Sequence, residues 1–265
     1  MRDDLTKDWF GDGEDPAKYD PVRSARAGLK AKLPKRFYTE VTVEFRDGLY
    51  ALLLDGRPAK TKLRNPLGAD TEAAAALLAA EWAAQVELID PSVMPVTRML
   101  HAAIDHVAGA RQEVIDDILK YAGSDLVCYR AGEPERLVAL QAQHWDPALT
   151  YVREAFGARF LLSEGIRFVE QAPGAIEALR VPVSRHTSAA ALAALHVMTT
   201  ISGSALLAIA VADGIISAEA GFDAGEVDAD FETSVWGIDE EAAERRGFRK
   251  SDFLAAAALV AAHQG

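Results

Sequence analysis

The sequence predicts an α+β protein in which a small N-terminal antiparallel β-rich domain precedes a larger, mostly α-helical domain. Two observations favour this fold class. Apolar and polar residues alternate between positions 37 and 63, and helical spacing replaces that alternation after position 70. We place a flexible N-terminal arm at 1–33, the β-rich domain with a covering helix at 34–95, and the α-helical domain at 96–265.

Alternation is clearest at the start of the β-rich domain, where VTVEF and LYALLL flank the turn sequence RDG. An Asp-Gly pair between two alternating runs is typical of a β-hairpin, and RPAKTKL supplies a third short strand. A sheet of this size needs a cover on one face. The run TEAAAALLAAEWAAQ predicts that cover, a helix capped by Asp70 with Leu78 and Trp82 one turn apart on the same face.

Helical spacing continues through most of the remaining chain. It runs over 96–107, over 114–123, and onward from Pro134, with either a fresh helix start or a kink at Asp146-Pro147. The run RFLLSEGIRFV, at 159–169, predicts a short β-hairpin. Residues 187–212 carry no formal charge, but they lack the basic and aromatic flanks of a spanning helix, so we expect a buried core helix and no membrane insertion.

The composition limits the classes of partner. Acidic residues outnumber basic ones by 40 to 28, which argues against nucleic acid or an anionic membrane as the principal partner and permits a basic protein surface. The single cysteine, Cys128, lies in an apolar run typical of a buried, inert thiol, and it cannot form an intrachain disulfide. The first residues match neither a signal nor a transit peptide. We therefore expect a cytoplasmic protein.

Motifs for common catalytic chemistry are missing from the sequence. It contains no phosphate-binding loop, no GxGxxG after a strand, no HExxH helix and no GxSxG turn. His101 and Asp105 lie four residues apart, which makes a metal pair conceivable, but an ordinary exposed helix face is favoured. We therefore expect no catalytic residue, no cofactor and no metal site.

The densest group of carboxylates lies between positions 226 and 244, which we call the acidic segment. Three interpretations fit it: a capped helix with solvated charges, a surface for another protein, or the metal site of a hydrolase. The segment supplies no histidine, and its acids directly after the WG pair suit a helix N-terminus. The hydrolase alternative would use Asp228, Asp230, Asp239 and Glu240.

Several motifs together resemble one family: the assembly chaperones for the catalytic head of F-type ATP synthases, in the branch that protects the free alpha subunit. The resemblance runs from about Lys35 to the C-terminus. The motifs, in order, are RFYTEVTVE, LDGRPAKT, EWAAQ, IDPSVMPVTR followed by AAID, YAGSDLVCYRA, QAQHWDP, TISGSALLAIA and WGIDEEA. Several of them are ordinary alone, but eight in this order and spacing make the resemblance specific.

The resemblance implies a non-enzymatic role. The protein would bind newly made alpha subunit, shield the surface that meets the beta subunit, and yield that surface during assembly of the ring, without hydrolysing ATP itself. The family's fold, a small antiparallel β domain joined to a helical domain, agrees with the pattern read from the residues. We expect the free protein to be a monomer.

The resemblance also assigns partner-binding residues. The acids after the Trp-Gly pair match positions implicated in chaperone action in the family. We expect Asp239, Glu240 and Glu241 to face the alpha subunit. Glu240 is the first choice among the three. Trp236, directly before these acids, is expected to contribute to the same surface.

Two further residues are expected to act through the fold. Trp82, in EWAAQ, resembles a family tryptophan whose integrity is tied to folding and function. Gly237, with Trp236, is expected to shape the chain locally at the start of the helix that follows. The sequence departs from the family's pattern at Lys62, Ala229, Glu232, Ser234 and Ile238, which affects the transfer of single residues more than the family resemblance.

Overall fold

A small antiparallel sheet opens the described part of the chain, which comprises residues 33–165, 167–237 and 239–264 of the computed structural model. Its strands are β1 Val41–Arg46, β2 Leu49–Leu54, β3 Arg57–Pro58 and β4 Gly68–Ala69. β2 pairs antiparallel with each of the others. The turn between β1 and β2 places Asp47 and Gly48 at φ values of 51° and 84°, which matches the right-handed twist of a hairpin. The predicted hairpin is confirmed, whereas RPAKTKL forms only the two-residue strand β3.

The covering helix α1, Glu72–Ala83, packs on this sheet through β1 and β2. Its N-cap is Thr71, whose hydroxyl accepts a hydrogen bond from the Ala74 amide at 3.2 Å. The prediction that Asp70 caps this helix is wrong, because Asp70 precedes the cap position and accepts a hydrogen bond from the Ser188 hydroxyl at 2.6 Å.

The rest of the described chain is mostly helical, in agreement with the predicted fold class. Helix α4, Glu135–Phe156, continues through Pro147 without a new start. In place of the predicted hairpin, the described residues of 159–169 form only a two-residue strand, β6 Ser163–Glu164, that pairs in parallel with β5 Tyr129–Arg130. The elements are α2 Pro95–Asp105, α3 Arg111–Gly123, β5 Tyr129–Arg130, α4 Glu135–Phe156, β6 Ser163–Glu164, α5 Pro173–Ala178, α6 Arg180–Ser184, α7 Ala189–Ser202, α8 Ala205–Ala212, α9 Ala218–Gly225, α10 Val227–Trp236 and α11 Glu240–Ala261.

The uncharged stretch lies at the centre of the helical body as two helices, not as one. α7 ends at Gly203, whose φ of 71° stops the helix. Ser204 then caps α8, every residue of which is buried. α7 packs against α2, α8 and α11, so this stretch forms the core around which the other helices are arranged. No helix in the described ranges is long and apolar enough to cross a membrane.

Helix α2 joins the sheet to the helical body. The Glu81 carboxylate of α1 accepts hydrogen bonds from the Val96 and Thr97 amides at 2.7 Å each, and so caps the start of α2. At the other end, Asp105 accepts from the Thr61 hydroxyl at 2.6 Å and from the side-chain amide of Asn65 at 2.8 Å. Apolar side chains from the sheet and the helices form one continuous core around this joint.

The predicted arm at 1–33 lies outside the described residues except for Leu33. The division of the remaining chain at 95/96 stays a prediction.

A fully buried carboxylate, Asp125, connects two helix starts in the core. Its two oxygens accept hydrogen bonds from the Val127 amide at 3.2 Å and from the Leu206 amide at 3.1 Å, so it serves both a short 3-10 turn and α8. Burial raises the pKa of Asp125 to about 6, although these donors oppose the rise. Burial, together with the charge of Asp125, raises the pKa of the Cys128 thiol to about 12, which makes that thiol unreactive.

We expect Glu81→Gln to lower the free energy of unfolding by about 1–3 kcal/mol, because an amide loses one acceptor oxygen and turns a donor toward the amides of α2. Urea denaturation measures the change. Glu87→Gln is the control, since Glu87 is exposed and its side chain makes no hydrogen bond to a described residue, and it should change stability by less than about 0.5 kcal/mol. Equal effects of the two variants would contradict the capping role of Glu81.

Asp125 should make stability fall as pH rises. Its folded pKa of about 6 lies above the ordinary aspartate value, so between about pH 4 and pH 6 the folded state binds more protons than the unfolded state. The free energy of unfolding of the wild type minus that of Asp125→Asn should therefore decrease, on the order of 2–3 kcal/mol, between pH 4 and pH 7. Urea denaturation of both proteins at each pH tests this, and a difference that stays flat or rises with pH would refute it.

Candidate interaction surface

The acidic segment folds as the end of one helix, a sharp turn and the start of another. α10 ends at Trp236, and the chain turns at Gly237 with φ 97° and ψ 174°. Only glycine adopts that region of backbone conformation without strain, which gives the reason a glycine stands here. Asp239 then caps α11 by accepting a hydrogen bond from the Glu241 amide at 3.0 Å, as the sequence predicts for a helix N-terminus.

The inner carboxylates of the segment are held by basic side chains of α11. Glu226 is buried and pairs with Arg249 at 2.9 Å, and Asp230 pairs with Arg246 at 2.8 Å. Burial raises the pKa of Glu226, while the charges of Arg249 and Arg246 oppose that rise. Asp228 instead accepts a hydrogen bond from the side-chain amide of Gln141 on α4, at 2.7 Å. Contacts of these acids therefore hold α9 and α10 against α11 and α4.

The outer carboxylates are arranged differently. Glu232, Asp239 and Glu240 are exposed, and none of them forms an ion pair with another described residue. Val235 and Trp236, between them in the sequence, are 54% and 86% exposed. We call these five residues the outer face. A large exposed aromatic side chain that is close in sequence to unpaired negative charges is typical of a surface that another protein covers.

Glu241, the remaining expected partner-binding residue, is exposed and forms an ion pair with Arg245 one turn along α11. The i, i+4 spacing predicts this pair. It partly neutralises Glu241, so Glu240 is the acid of the first turn that carries an uncompensated charge at the surface.

Trp82 lies elsewhere in the fold. It is half-buried on α1, its ring centroid is 5.7 Å from that of Tyr38, and its carbonyl accepts a hydrogen bond from the Tyr38 hydroxyl at 2.7 Å. Within the described ranges, no hydrogen bond, ion pair or ring contact joins Trp82 to the acidic segment. Trp82 therefore secures the chain before β1 against the covering helix and stands apart from the outer face.

The basic residues that organise the acidic segment were not predicted from the sequence. Arg246, Arg249 and Lys250 lie on one face of α11 and reach toward Asp223 and the inner acids. Their i, i+3, i+4 spacing, opposite a run of acids that precedes them, is the signal that could have revealed the network.

The chain is similar to proteins described as chaperones. A family model described as ATP12 chaperone protein matches residues 35–153. The structure superposes on the Atu1473 protein of Agrobacterium tumefaciens, a candidate chaperone, with 44% sequence identity over 93% of this chain and 92% of that one, and a TM-score of 0.83. It also superposes on Atp12 from Paracoccus denitrificans, with 35% identity, 87% and 99% coverage and a TM-score of 0.80.

A single-site mutant of the Paracoccus protein gives a similar match, with 34% identity, coverage of 87% of this chain and 98% of that one, and a TM-score of 0.79. The fold, a small antiparallel sheet followed by a helical body, and these similarities together place the chain in the chaperone class. The chain belongs to the ATP12 chaperone family.

Substitutions of Trp82 and Trp236 should affect stability differently. Trp82→Arg should lower the free energy of unfolding by about 2–3 kcal/mol, because a charge would replace a half-buried ring that packs against Tyr38. Trp236→Ala should leave stability within about 0.5 kcal/mol of the wild type, because the side chain is 86% exposed. Urea denaturation measures both, and a normally stable Trp82→Arg protein would show that this ring does not support the fold.

Proposed function

We propose that this protein is a non-enzymatic assembly chaperone that binds the free alpha subunit of the F-type ATP synthase catalytic head. It shields the surface that will meet the beta subunit and releases it as the ring assembles. One observation carries the proposal. In a chain of the ATP12 chaperone family, the exposed Trp236 lies between carboxylates that no described basic residue neutralises.

The outer face suits a contact that must later be broken. An unassembled ring subunit exposes a large, partly apolar interface, which is prone to aggregate. A chaperone has to cover that interface and later give way to the beta subunit. A small contact with one aromatic anchor and a polar rim suits both requirements. The unpaired charges of Glu232, Asp239 and Glu240 would steer a basic region of the alpha subunit toward Trp236.

The hydrolase alternative has little support from geometry. Of its four carboxylates, Asp228 and Asp230 are engaged by Gln141 and Arg246, and Asp239 caps α11. Across the described ranges, no three His, Cys, Asp or Glu side chains are grouped in a way that could hold a metal ion. Titration calorimetry with magnesium, manganese and calcium separates the two functions, since binding at submillimolar metal would favour the hydrolase.

The partner is tested most directly by aggregation. Purified protein should suppress aggregation of isolated alpha subunit, followed by light scattering, without added nucleotide, whereas isolated beta subunit should aggregate unchanged. Protection of beta in place of alpha would assign a different partner, and equal protection of unrelated basic proteins would indicate a general adaptor. We propose that the protein acts in the cytoplasm as a monomer, and sedimentation in the same buffer tests the monomeric state.

Glu240→Lys should weaken binding of the alpha subunit at least tenfold, because it reverses a charge on the outer face. Its melting temperature should match that of Glu219→Lys, the matched control. Glu219 is likewise an exposed acid in the first turn of a helix, α9, but lies outside the acidic segment, so both variants lose the same favourable interaction with a helix N-terminus.

Binding is measured by surface plasmon resonance or calorimetry at low salt. The proposed role of the outer face would be contradicted if both lysine variants bound the alpha subunit equally well. A loss of stability confined to Glu240→Lys, with binding intact, would instead support a purely structural role for the first turn of α11.

A further inference from the structure

The region around the outer face takes no part in the hydrophobic core. Every described residue from 228 to 237 and from 239 to 249 is exposed or half-buried, and none is a member of the buried core, although the Arg246 guanidinium lies 5.1 Å from the ring of the buried Phe222. The core residues that bracket the region are Val227 on one side and Phe253 on the other. We call residues 228–249 the C-terminal flap.

Polar contacts hold the flap in place. Arg246 reaches Asp230 at 2.8 Å within the flap and Asp223 on the body at 3.5 Å, and Arg249 reaches Glu226 on the body at 2.9 Å. Arg249 also donates to the Ile201 carbonyl at the end of α7, at 2.7 Å. The contacts with α4 are the hydrogen bond from Gln141 to Asp228 and a cation–π contact in which the Arg136 guanidinium lies 5.8 Å from the Phe231 ring.

Contacts of this kind are individually weak and sensitive to salt. Ion pairs between partly exposed side chains, such as Arg246–Asp230, gain little because water competes for both partners and mobile ions screen them, whereas the Arg249 pair with the buried Glu226 is screened less. α10 has ten residues, which is too short for a helix to be stable by itself in water. The body differs in this respect, because its central helices α7 and α8 are stabilised by buried apolar side chains that salt does not screen.

We propose that the C-terminal flap opens from the folded body as one unit. Ionic strength controls this opening, because it sets the strength of the ion pairs that hold the flap closed. Because α11 is one helix from Glu240 to Ala261, opening unwinds its first turns, while Val227 and Phe253 remain anchored and mark the ends of the opening unit. The opening itself does not depend on which protein is bound. Its consequence for docking rests on the proposed function: a partner that binds the outer face would favour the closed flap, and opening would remove the surface on which that partner sits.

Hydrogen–deuterium exchange of the full chain, with no partner present, tests the proposal at about 20 and 500 mM sodium chloride. Backbone exchange in peptides covering 228–249 should become faster by about tenfold at high salt, while peptides from α7 stay slow. Arg246→Gln should give fast exchange in the flap already at low salt and a smaller further response to salt. Arg249→Gln should act in the same direction.

Arg180→Gln is the matched control, because Arg180 also pairs with two acids, Asp116 at 2.9 Å and Glu177 at 2.7 Å, but on the surface of α3 and α5. It should leave exchange in the flap unchanged. The proposal would be overturned if backbone exchange in 228–249 changed neither with salt nor with Arg246→Gln. So would faster exchange in the flap and α7 together, since that would report loss of the whole fold. Because no partner is present, either result leaves the proposed chaperone function to be judged separately.

Discussion

The fold depends on a helix that is held at both ends by other parts of the chain. α2 begins after Met94, a residue that cannot cap a helix, and its first amides are satisfied by Glu81 of α1. Its last residue, Asp105, binds the loop that follows β3. The start of α2 is therefore complete only when the covering helix is in place, which makes the sheet and the helical body depend on each other.

Charge has two separate uses in the C-terminal part of the chain, and position on α11 decides between them. Side chains of this helix that face the body carry positive charge and neutralise Glu226 and Asp230. The first turn of the helix carries the negative charge of Glu240 into water. A net charge of −12 describes neither use, because paired and unpaired acids contribute to it equally.

Regular, local patterns made much of the fold predictable. The Asp-Gly turn, the helical spacing after position 70 and the acidic start of α11 correspond to observed elements. Predictions failed where a distant residue decides the structure: the sheet position of Ser163 and Glu164 depends on Tyr129 and the strand it begins, over thirty positions away. In the same way, the acidic segment was recognisable, but which of its acids remain unpaired depends on how α11 folds back on α9 and α10.

The length of α11 sets a distance between Glu240 at its tip and the hydrophobic core. The helix spans Glu240–Ala261, and its first buried side chain is Phe253. At about 1.5 Å of rise per residue, its charged tip stands roughly 20 Å along the axis from the point where the helix enters the core. Within that stretch Arg246 and Arg249 contact Asp223, Glu226 and the Ile201 carbonyl, so the helix lies alongside the body and does not project from it. The charge of Glu240 is thus separated from the apolar core by a stretch of helix that contacts the body through arginine side chains.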